Sequence, residues 1–492
     1  MLARPEAREP ALFAARAEII NSNYPIFADC SRRAKPSVRH MNFVSRRFGM
    51  GLRRWEEKEK ISYRGSLYET LMYSFPNSAT RTPPAEASGL SLGLRTWFNN
   101  AGILICRPHD SAESPFAVAL KGGHNAEHHN HNDVGSYVVV VDNESLLVDP
   151  GGETYTARTF SSRRYESDVL NSCGHPVPFV AGQLQRKGKD AKGQVLKTTF
   201  TDTEDTFVLD LSPAYVVPAL TKLERTFIYS RVGDGKLTIT DEVAFKKTST
   251  FGTALVTYGG WKEIKHGELI IYGMDRAIRV QIESEGAEFA IREETMKDGG
   301  KPTRLGINFA TPVTAGRITV TVTPTTFGDE DSRFGLVRNG GFEFGRWGWS
   351  IPDGGITGLS TEQAATGKTS LKIHDDTAEK GSSATSGKMP VKPDQTYELR
   401  GKAFIASGEG VGLYIQAFDK DGTNVDKKDH RGHTSPVGSL SKGEASWTPF
   451  AFPFTAPSNA VSTRIWLHSY NGAKVTAYLD DLSIVEATPA AE

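Results

Sequence analysis

Four of the chain's twelve histidines fall in the eight positions from His124 to His131, within His124-Asn-Ala-Glu-His-His-Asn-His-Asn-Asp133. Imidazole is a ligand for transition metals and a proton shuttle near neutral pH. The cluster therefore offers two kinds of chemistry, metal holding and proton transfer. His129 and His131 are separated by one residue, which puts both on one face of an extended chain. Asp149 follows His131 by eighteen residues, and His175 follows Asp149 by twenty-six. Two imidazoles and one carboxylate from such a set suit Zn²⁺, with a fourth position left for water or substrate. A solvent-exposed loop rich in His is the other reading of the same spacing. Cys173, two residues before His175, reads as a packed thiol.

The elements that must position these groups are strands. Tyr137-Val-Val-Val-Val141 and Ser145-Leu-Leu-Val-Asp149 flank a turn at Asp142-Asn-Glu144 and predict a hairpin closed by Pro150-Gly-Gly152. A straight hairpin would set Asp149 opposite Val138, too far from His131. The His segment must therefore bend back near Gly135, where glycine permits the backbone angles.

The wider chain is read in three parts. Residues 1–92 contain helical spacing at Pro10–Ile20 and at Gly65–Tyr73, then a breaker-rich segment from Pro76 to Gly89. Residues 93–325 carry many short strands, among them Ala117–Leu120, Leu223–Tyr229 and Ile318–Val322. These predict a large antiparallel β-sandwich. Thr325–Arg333 reads as a linker, and residues 336–488 as a second, jelly-roll β-sandwich. The fold class is thus mainly β. Within the second sandwich, Asn339–Glu343 and Ala477–Val485 read as neighbouring strands.

Composition narrows the function classes. The 58 acidic and 58 basic residues cancel, which argues against a polyelectrolyte-binding surface over the whole molecule, though not against a local basic groove, and no nucleic-acid partner is expected. Cys30, Cys106 and Cys173 are too few and too scattered for a disulfide framework. The chain has no run of about eighteen apolar residues, so no membrane span is expected. Its first ten residues carry charges and prolines where a secretory h-region would stand.

Several segments resemble the β-sandwich domain of heparinase II/III-like polysaccharide lyases. They are Thr96–Arg107, His128–Tyr137, Leu147-Val-Asp-Pro-Gly-Gly152 and Leu170-Asn-Ser-Cys-Gly-His-Pro-Val-Pro178. The resemblance implies that His129 is the active-site histidine and that His131, Asp149 and His175 are metal ligands. It implies β-elimination on an acidic polysaccharide, and a periplasmic or secreted location. In that chemistry a base removes the proton at C5 of a uronic acid, an acid protonates the leaving 4-oxygen, and a third group neutralises the carboxylate.

The sequence departs from the family before residue 93. The family's helical toroid, which carries the catalytic tyrosine and the neutralising group, occupies a few hundred residues there. This chain has fewer than one hundred. It is therefore expected to be the C-terminal part of a lyase or a divergent member, with little or no activity alone. Tyr63, Tyr68 and Tyr73 read as helix packing. Tyr155, Arg163 and Arg164 are candidates for substrate binding, and Tyr165 is the preferred functional tyrosine. His124 and His128 are expected to be exposed or to support the ligands.

The C-terminal part resembles jelly-roll carbohydrate-binding modules in its Asn339-Gly-Gly-Phe-Glu-Phe opening, Gly367–Ile373 and the closing Asp480-Asp-Leu-Ser-Ile-Val485. Glu343 and Asp481 are candidates for a structural Ca²⁺. Trp347, Trp349, Trp447 and Trp466 are candidates for sugar stacking. Two other functions remain: a non-catalytic polysaccharide-binding protein, and a metal enzyme of cupin type.

Overall fold

A computed structural model describes residues 8–32, 34–37, 41, 45, 92–109, 115–297, 302–325, 335–351, 354–377, 379–426, 436–440, 445–470 and 472–487. The expected helix at 65–73, its tyrosines, the 76–89 segment and nearly all of the expected linker lie outside those residues. The described chain is mainly β, with antiparallel sheets in sandwich-like arrangements. Among the described residues no helix is long and apolar enough to cross a membrane.

The chain divides into two compact units. The first takes in Met1–Tyr258, Lys265–Glu268 and Arg279–Pro324. It contains a five-stranded sheet in the order Arg95–Phe98, Ile103–Cys106, Phe116–Lys121, Tyr137–Val141, Glu144–Leu147. The expected hairpin is the last two of these. Phe116–Lys121 and Tyr137–Val141 are buried at every position, as an apolar run covered on both faces must be. On one face Ala117, Ala119, Val138 and Val140 pack around Ile19. On the other, Phe116 stacks on Tyr229 at 6.0 Å and Tyr137 meets Phe227 edge-on at 5.9 Å.

Tyr229 and Phe227 belong to Leu220–Ser230, a strand of the largest sheet. There Val313–Thr325, Lys236–Ser249, Leu220–Ser230, Glu204–Asp210, Gly188–Phe200 and Gly123–Asn125 lie side by side in that order. Leu220–Ser230 alternates, with Leu223, Arg225, Phe227 and Tyr229 buried and their neighbours partly exposed. Arg225 is the exception to an apolar interior, and every group around it is matched. Its Nε and Nη2 bond the two oxygens of Asp241, each at 2.7 Å. Nη1 bonds the carbonyls of Gly135 at 2.6 Å and Pro176 at 2.7 Å. The guanidinium thus holds the loops on either side of the histidine site.

The N-terminal helix runs Arg8–Arg16, ending short of the expected Ile20. Arg107 explains the end. Its guanidinium donates to the carbonyls of Arg16 at 2.9 Å and of Glu18 and Ile19 at 3.1 Å, satisfying acceptors that a helix terminus leaves open. The following residues are thereby tied to the sandwich.

The second unit takes in Gly259–Ile264, Leu269–Ile278 and Thr325–Glu492. It therefore draws on sequence that was assigned to the first sandwich. The reason is apolar: Ile270, Tyr272 and Ala277 form one buried cluster with Trp347. One sheet has the order Trp349–Ser350, Ala384–Ser386, Ser462–Ser469, Val411–Phe418, Gly438–Leu440. The other has Thr357–Ser360, Ser370–Asp375, Val475–Glu486, Thr396–Gly408, Thr448–Thr455. The main core includes Phe342, Leu371, Leu399, Ile465 and Leu479.

Asn339–Glu343 is not a strand. Asn339 and Phe342 have φ of 51° and 57°. The Asn339 amide donates to the carbonyls of Gly345 at 2.9 Å and Trp347 at 3.1 Å, and its oxygen accepts from Phe344 N at 3.0 Å. This local bonding replaces a ladder. The segment still lies beside the closing strand, through Leu336 N to Ile484 O and Leu482 N to Gly340 O, both 2.9 Å.

Trp347 and Trp349 are 3% and 2% exposed, so they are core and not stacking surfaces. Trp447 and Trp466 are partly exposed. Because the main core comes entirely from Val337–Ile484, residues 336–488 expressed alone are expected to unfold cooperatively. Trp347 would lose its Ile270 and Tyr272 neighbours, so the isolated unit should show one more solvent-exposed indole than the full chain shows for the same residues. A fragment with no cooperative transition would show that residues 259–278 belong to its core.

Candidate metal and proton-transfer site

The residues from Ala126 to Ser136 form turns, so the extended-chain expectation for His129 and His131 fails. His129 has φ of 59° and a side chain 60% exposed, whereas that of His131 is 0% exposed. The bend at Gly135 is present, with φ of 90° and an added Cβ only 2.8 Å from Leu211 Cδ1. The loop is also fixed by Gln185, which accepts from Val134 N at 3.1 Å and donates to Val134 O at 2.8 Å.

Asp149 follows the last strand of the five-stranded sheet. His175 ends a 3-10 turn at Ser172–Gly174, whose Cys173 N–H donates to the Asn171 side chain at 2.7 Å. The His175 carbonyl accepts from buried Arg304 at 2.6 Å. His131, Asp149 and His175 come together, joined by Asp133. The ligand-capable atoms of the four lie within 4.8 Å of one another, and all four residues are buried. Among the described residues this is the one such convergence of three or more His, Cys, Asp or Glu side chains. Cys173 is not part of it.

Hydrogen bonding leaves the group able to hold a cation. His131 Nε2 lies 2.9 Å from Asp29 Oδ1. A carboxylate only accepts, so Nε2 carries the proton and the Nδ1 lone pair faces inward. That Nδ1 has no partner. His175 Nε2 lies 3.0 Å from the Val169 carbonyl and its Nδ1 faces inward, 2.8 Å from Asp149 Oδ2; both partners only accept, so Nδ1 shares a proton with Asp149 unless a cation takes its place. Lys121 engages one oxygen of Asp133, and the other has no partner. Asp149 Oδ2 also accepts from Ser136 Oγ at 2.7 Å. The unpartnered His131 Nδ1 and Asp133 Oδ2 and the Asp149 carboxylate in a dry pocket repel one another unless a cation or protons sit among them.

Burial, and next the His175 charge, push His131 below its ordinary pKa despite Asp29, which favours the neutral ligand form. Burial alone would raise Asp149. The His175 imidazole beside it outweighs this and holds the carboxyl below its usual range. The donor set therefore fits a divalent metal ion, with His131 Nδ1, His175 Nδ1, Asp149 and Asp133 as its holders.

A second group of side chains reaches the surface beside the first. Asp29 Oδ2 lies 3.1 Å from His129 Nδ1 and 3.0 Å from the Tyr155 hydroxyl. That hydroxyl is also 3.0 Å from His129 Nδ1, and the two rings stack at 6.2 Å. Asp29 thus bonds His129 with one oxygen and His131 with the other. Burial would raise its carboxyl. Hydrogen bonds from His131, Arg164 and Tyr155 overcome this and hold it well below the ordinary carboxylate range.

Tyr165 lies off this pair, its hydroxyl 3.5 Å from the Asn130 carbonyl. Arg164 is committed to Asp29 at 2.7 Å and to the carbonyls of Asn130 and Thr159. Arg163 pairs with Glu166 on the surface. His124 pairs with Glu127 at 3.1 Å, and His128 is exposed.

Sequence reading missed Asp29 and Asp133. The Gly151-Gly152 pair was the one available signal for Asp29. A Cβ on Gly151 would stand 2.6 Å from Cys30 O, and one on Gly152 2.7 Å from Asp29 O. Only glycine lets the two backbones approach so closely. Gly152→Ala is therefore expected to cost about 1–3 kcal/mol and to displace Asp29. Denaturant titration checks it, and an unchanged midpoint would mean that the two backbones separate freely.

In the second unit, Glu343 accepts from Lys368 N and Thr369 N, both at 2.7 Å. Asp481 accepts from Thr366 Oγ1 at 2.6 Å and pairs with Lys402 at 2.9 Å. Both carboxylates thus bind the loop at 366–369 or a lysine. Asp480 beside them is fully buried, and burial pushes its carboxyl up to about 6.

Residues 92–306 match the family model described as heparinase II/III-like, C-terminal. No curated protein matches the chain. Among solved structures, the chain is similar to heparinase III, the BT4657 gene product, at 11% identity and a TM-score of 0.45, covering 75% of this chain and 49% of that one. Heparan sulfate lyase HepC from Pedobacter heparinus is similar at 12% identity and a TM-score of 0.45, over 72% of this chain and 49% of that one. A family 16 carbohydrate-binding module matches at 24% identity and a TM-score of 0.24, over 31% of this chain and 99% of the module. The chain spans about half the length of the two lyase structures. Residues 92–306 are thus similar to the heparinase II/III-like C-terminal family.

Proposed function

We propose that this protein is a polysaccharide lyase-type protein, secreted or periplasmic, that acts by β-elimination on uronic-acid-containing chains, weakly as this chain alone. The observation that carries the reading is the Asp29–His129–Tyr155 triangle at the surface. Asp29 accepts from both His129 Nδ1 and the tyrosine hydroxyl. This fixes the tautomer of His129 and leaves Nε2 as an exposed base. Partial desolvation, and next the bond to Asp29, push the Tyr155 phenol up, so it keeps the proton an acid needs.

His129 Nε2 takes the C5 proton of the uronate. The C4–O bond breaks, a C4=C5 double bond forms, and the Tyr155 hydroxyl protonates the leaving oxygen. Exposed Phe160, edge-on to Tyr155 at 5.0 Å, offers apolar surface to a sugar ring. When bound, a divalent ion such as Zn²⁺ would supply structural cross-linking of the 131–133, 149 and 175 segments. The burial of its four holders supports that role. In the second unit, a Ca²⁺ at Glu343 and Asp481 and weak glycan binding belong to the same reading.

The test is ultraviolet absorbance of the unsaturated uronate, with heparan sulfate, hyaluronan and alginate offered to the full chain. Slow product release from one of them is expected. Binding without any unsaturated product would favour the non-catalytic reading.

A further inference from the structure

Beside the Asp29–His129–Tyr155 triangle lies an open cleft of about 760 Å³, whose lining includes Asp29, Arg32, Gly152, Glu153 and Tyr155. Its two carboxylates are already matched. Asp29 takes Arg164 at 2.7 Å. Glu153 takes Arg158 at 3.0 Å and Ser167 Oγ at 2.6 Å. Arg32 differs from the other arginines near the site. It is exposed, and its guanidinium carbon sits over the Tyr258 ring, 3.3 Å from the centroid. Among the described residues it has no carboxylate partner. Stacking uses the face of a guanidinium and leaves the N–H donors free in its plane. Those donors form a fork that fits a carboxylate through two parallel hydrogen bonds. The ring fixes the fork's plane in advance, so little side-chain freedom is lost on binding.

We propose that Arg32 is the carboxylate-binding residue of this cleft and selects acidic over neutral sugars for it. The proposal rests on the lyase reading, and it supplies the carboxylate neutraliser that β-elimination requires. Arg163 is paired on the surface and Arg164 is committed to Asp29 and two carbonyls, whereas Arg32 is presented toward the cleft. Its segment is held there by bonds that do not involve its own side chain. Gly152 N donates to Cys30 O at 2.9 Å, and Asp29 N to His129 O at 3.2 Å. A uronate whose carboxylate rests on Arg32 occupies the same cleft as Tyr155, so its C5 can approach the His129–Tyr155 pair. Charge on the carboxylate builds as the C5 proton leaves, and a fixed guanidinium there stabilises that charge.

The test is direct binding to the full chain. The probes are a tetrasaccharide of glucuronic acid and N-acetylglucosamine, and the same tetrasaccharide with its carboxyls reduced to alcohols. The readout is the His129 ring signal in ¹H–¹³C NMR, assigned by its loss in His129→Ala. The wild type should bind the acidic probe more tightly than the reduced one. Arg32→Gln keeps a planar group over Tyr258 without the charge. It should weaken the acidic probe by about tenfold or more, leave the reduced one unchanged, and so erase the preference. Arg32→Lys should keep part of the preference, with a steeper loss on adding salt.

If Arg32→Gln binds the acidic probe like the wild type, the proposal is overturned and the lyase reading stands. The same holds if the wild type binds both probes equally. If neither probe moves the His129 signal, the polysaccharide reading itself fails and the proposal falls with it.

Discussion

Replacing His129 with Ala is expected to lower release of unsaturated uronate by about 10²–10⁴-fold, the usual worth of a positioned proton-transfer group. Metal content should stay unchanged. The two outcomes separate because His129 is 60% exposed and points at Asp29 from the outside, whereas His131 meets Asp29 from the buried side. Tyr155→Phe should cost a similar factor, since it removes the proton intended for the leaving oxygen and keeps the ring. The double variant should be little worse than either alone, because residues that act as a unit do not add. Rates on one polysaccharide at saturating concentration, with metal measured on the same samples, provide the check. Loss of stoichiometric metal in His129→Ala would place that residue among the holders and undo the division of roles.

The second large effect concerns the buried group. Asp149→Ala should abolish tight binding of one divalent ion and lower stability by about 3–5 kcal/mol, because it leaves His175 and Ser136 without their buried partner. A chelator acting on the wild-type protein should reproduce part of that loss. Metal analysis and denaturant unfolding, with and without added Zn²⁺, distinguish the contributions. If the variant retains one tightly bound ion, the holders lie elsewhere. An unfolding midpoint in the wild type that does not respond to metal would show that the cluster is held by protons.

The sequence carried the strands well, because apolar runs such as Tyr137–Val141 and the alternation in Leu220–Ser230 follow directly from two-sided and one-sided burial. It also carried the bend at Gly135 and the meeting of His131, Asp149 and His175. Asp133 escaped notice because a second acid two residues past His131 looks like part of one polar loop. Asp29 lies 100 residues from His129 in sequence and in no motif, so only folding could reveal it. The glycines at 151 and 152 announced that some backbone comes close, without saying which one. Whether a tryptophan is core or surface is likewise set by neighbours from distant strands, as Tyr272 beside Trp347 shows. Arg32 has no signature at all, since a cation over a tyrosine ring depends on Tyr258, far along the chain.

Arg225 and Asp241 stand directly opposite each other on adjacent strands. A slip of one residue between those strands would turn every buried side chain of one of them to the other face. A slip of two would keep the apolar pattern almost intact but separate the guanidinium from its carboxylate, leaving both charged and dry. Hydrophobic burial alone discriminates poorly against that second error, and the ion pair discriminates strongly. The pair therefore works as an alignment key for the assembly of the largest sheet. Arg225 also grips the carbonyls of Gly135 and Pro176, so a chain that has passed this check has at the same time brought the two halves of the histidine site into place.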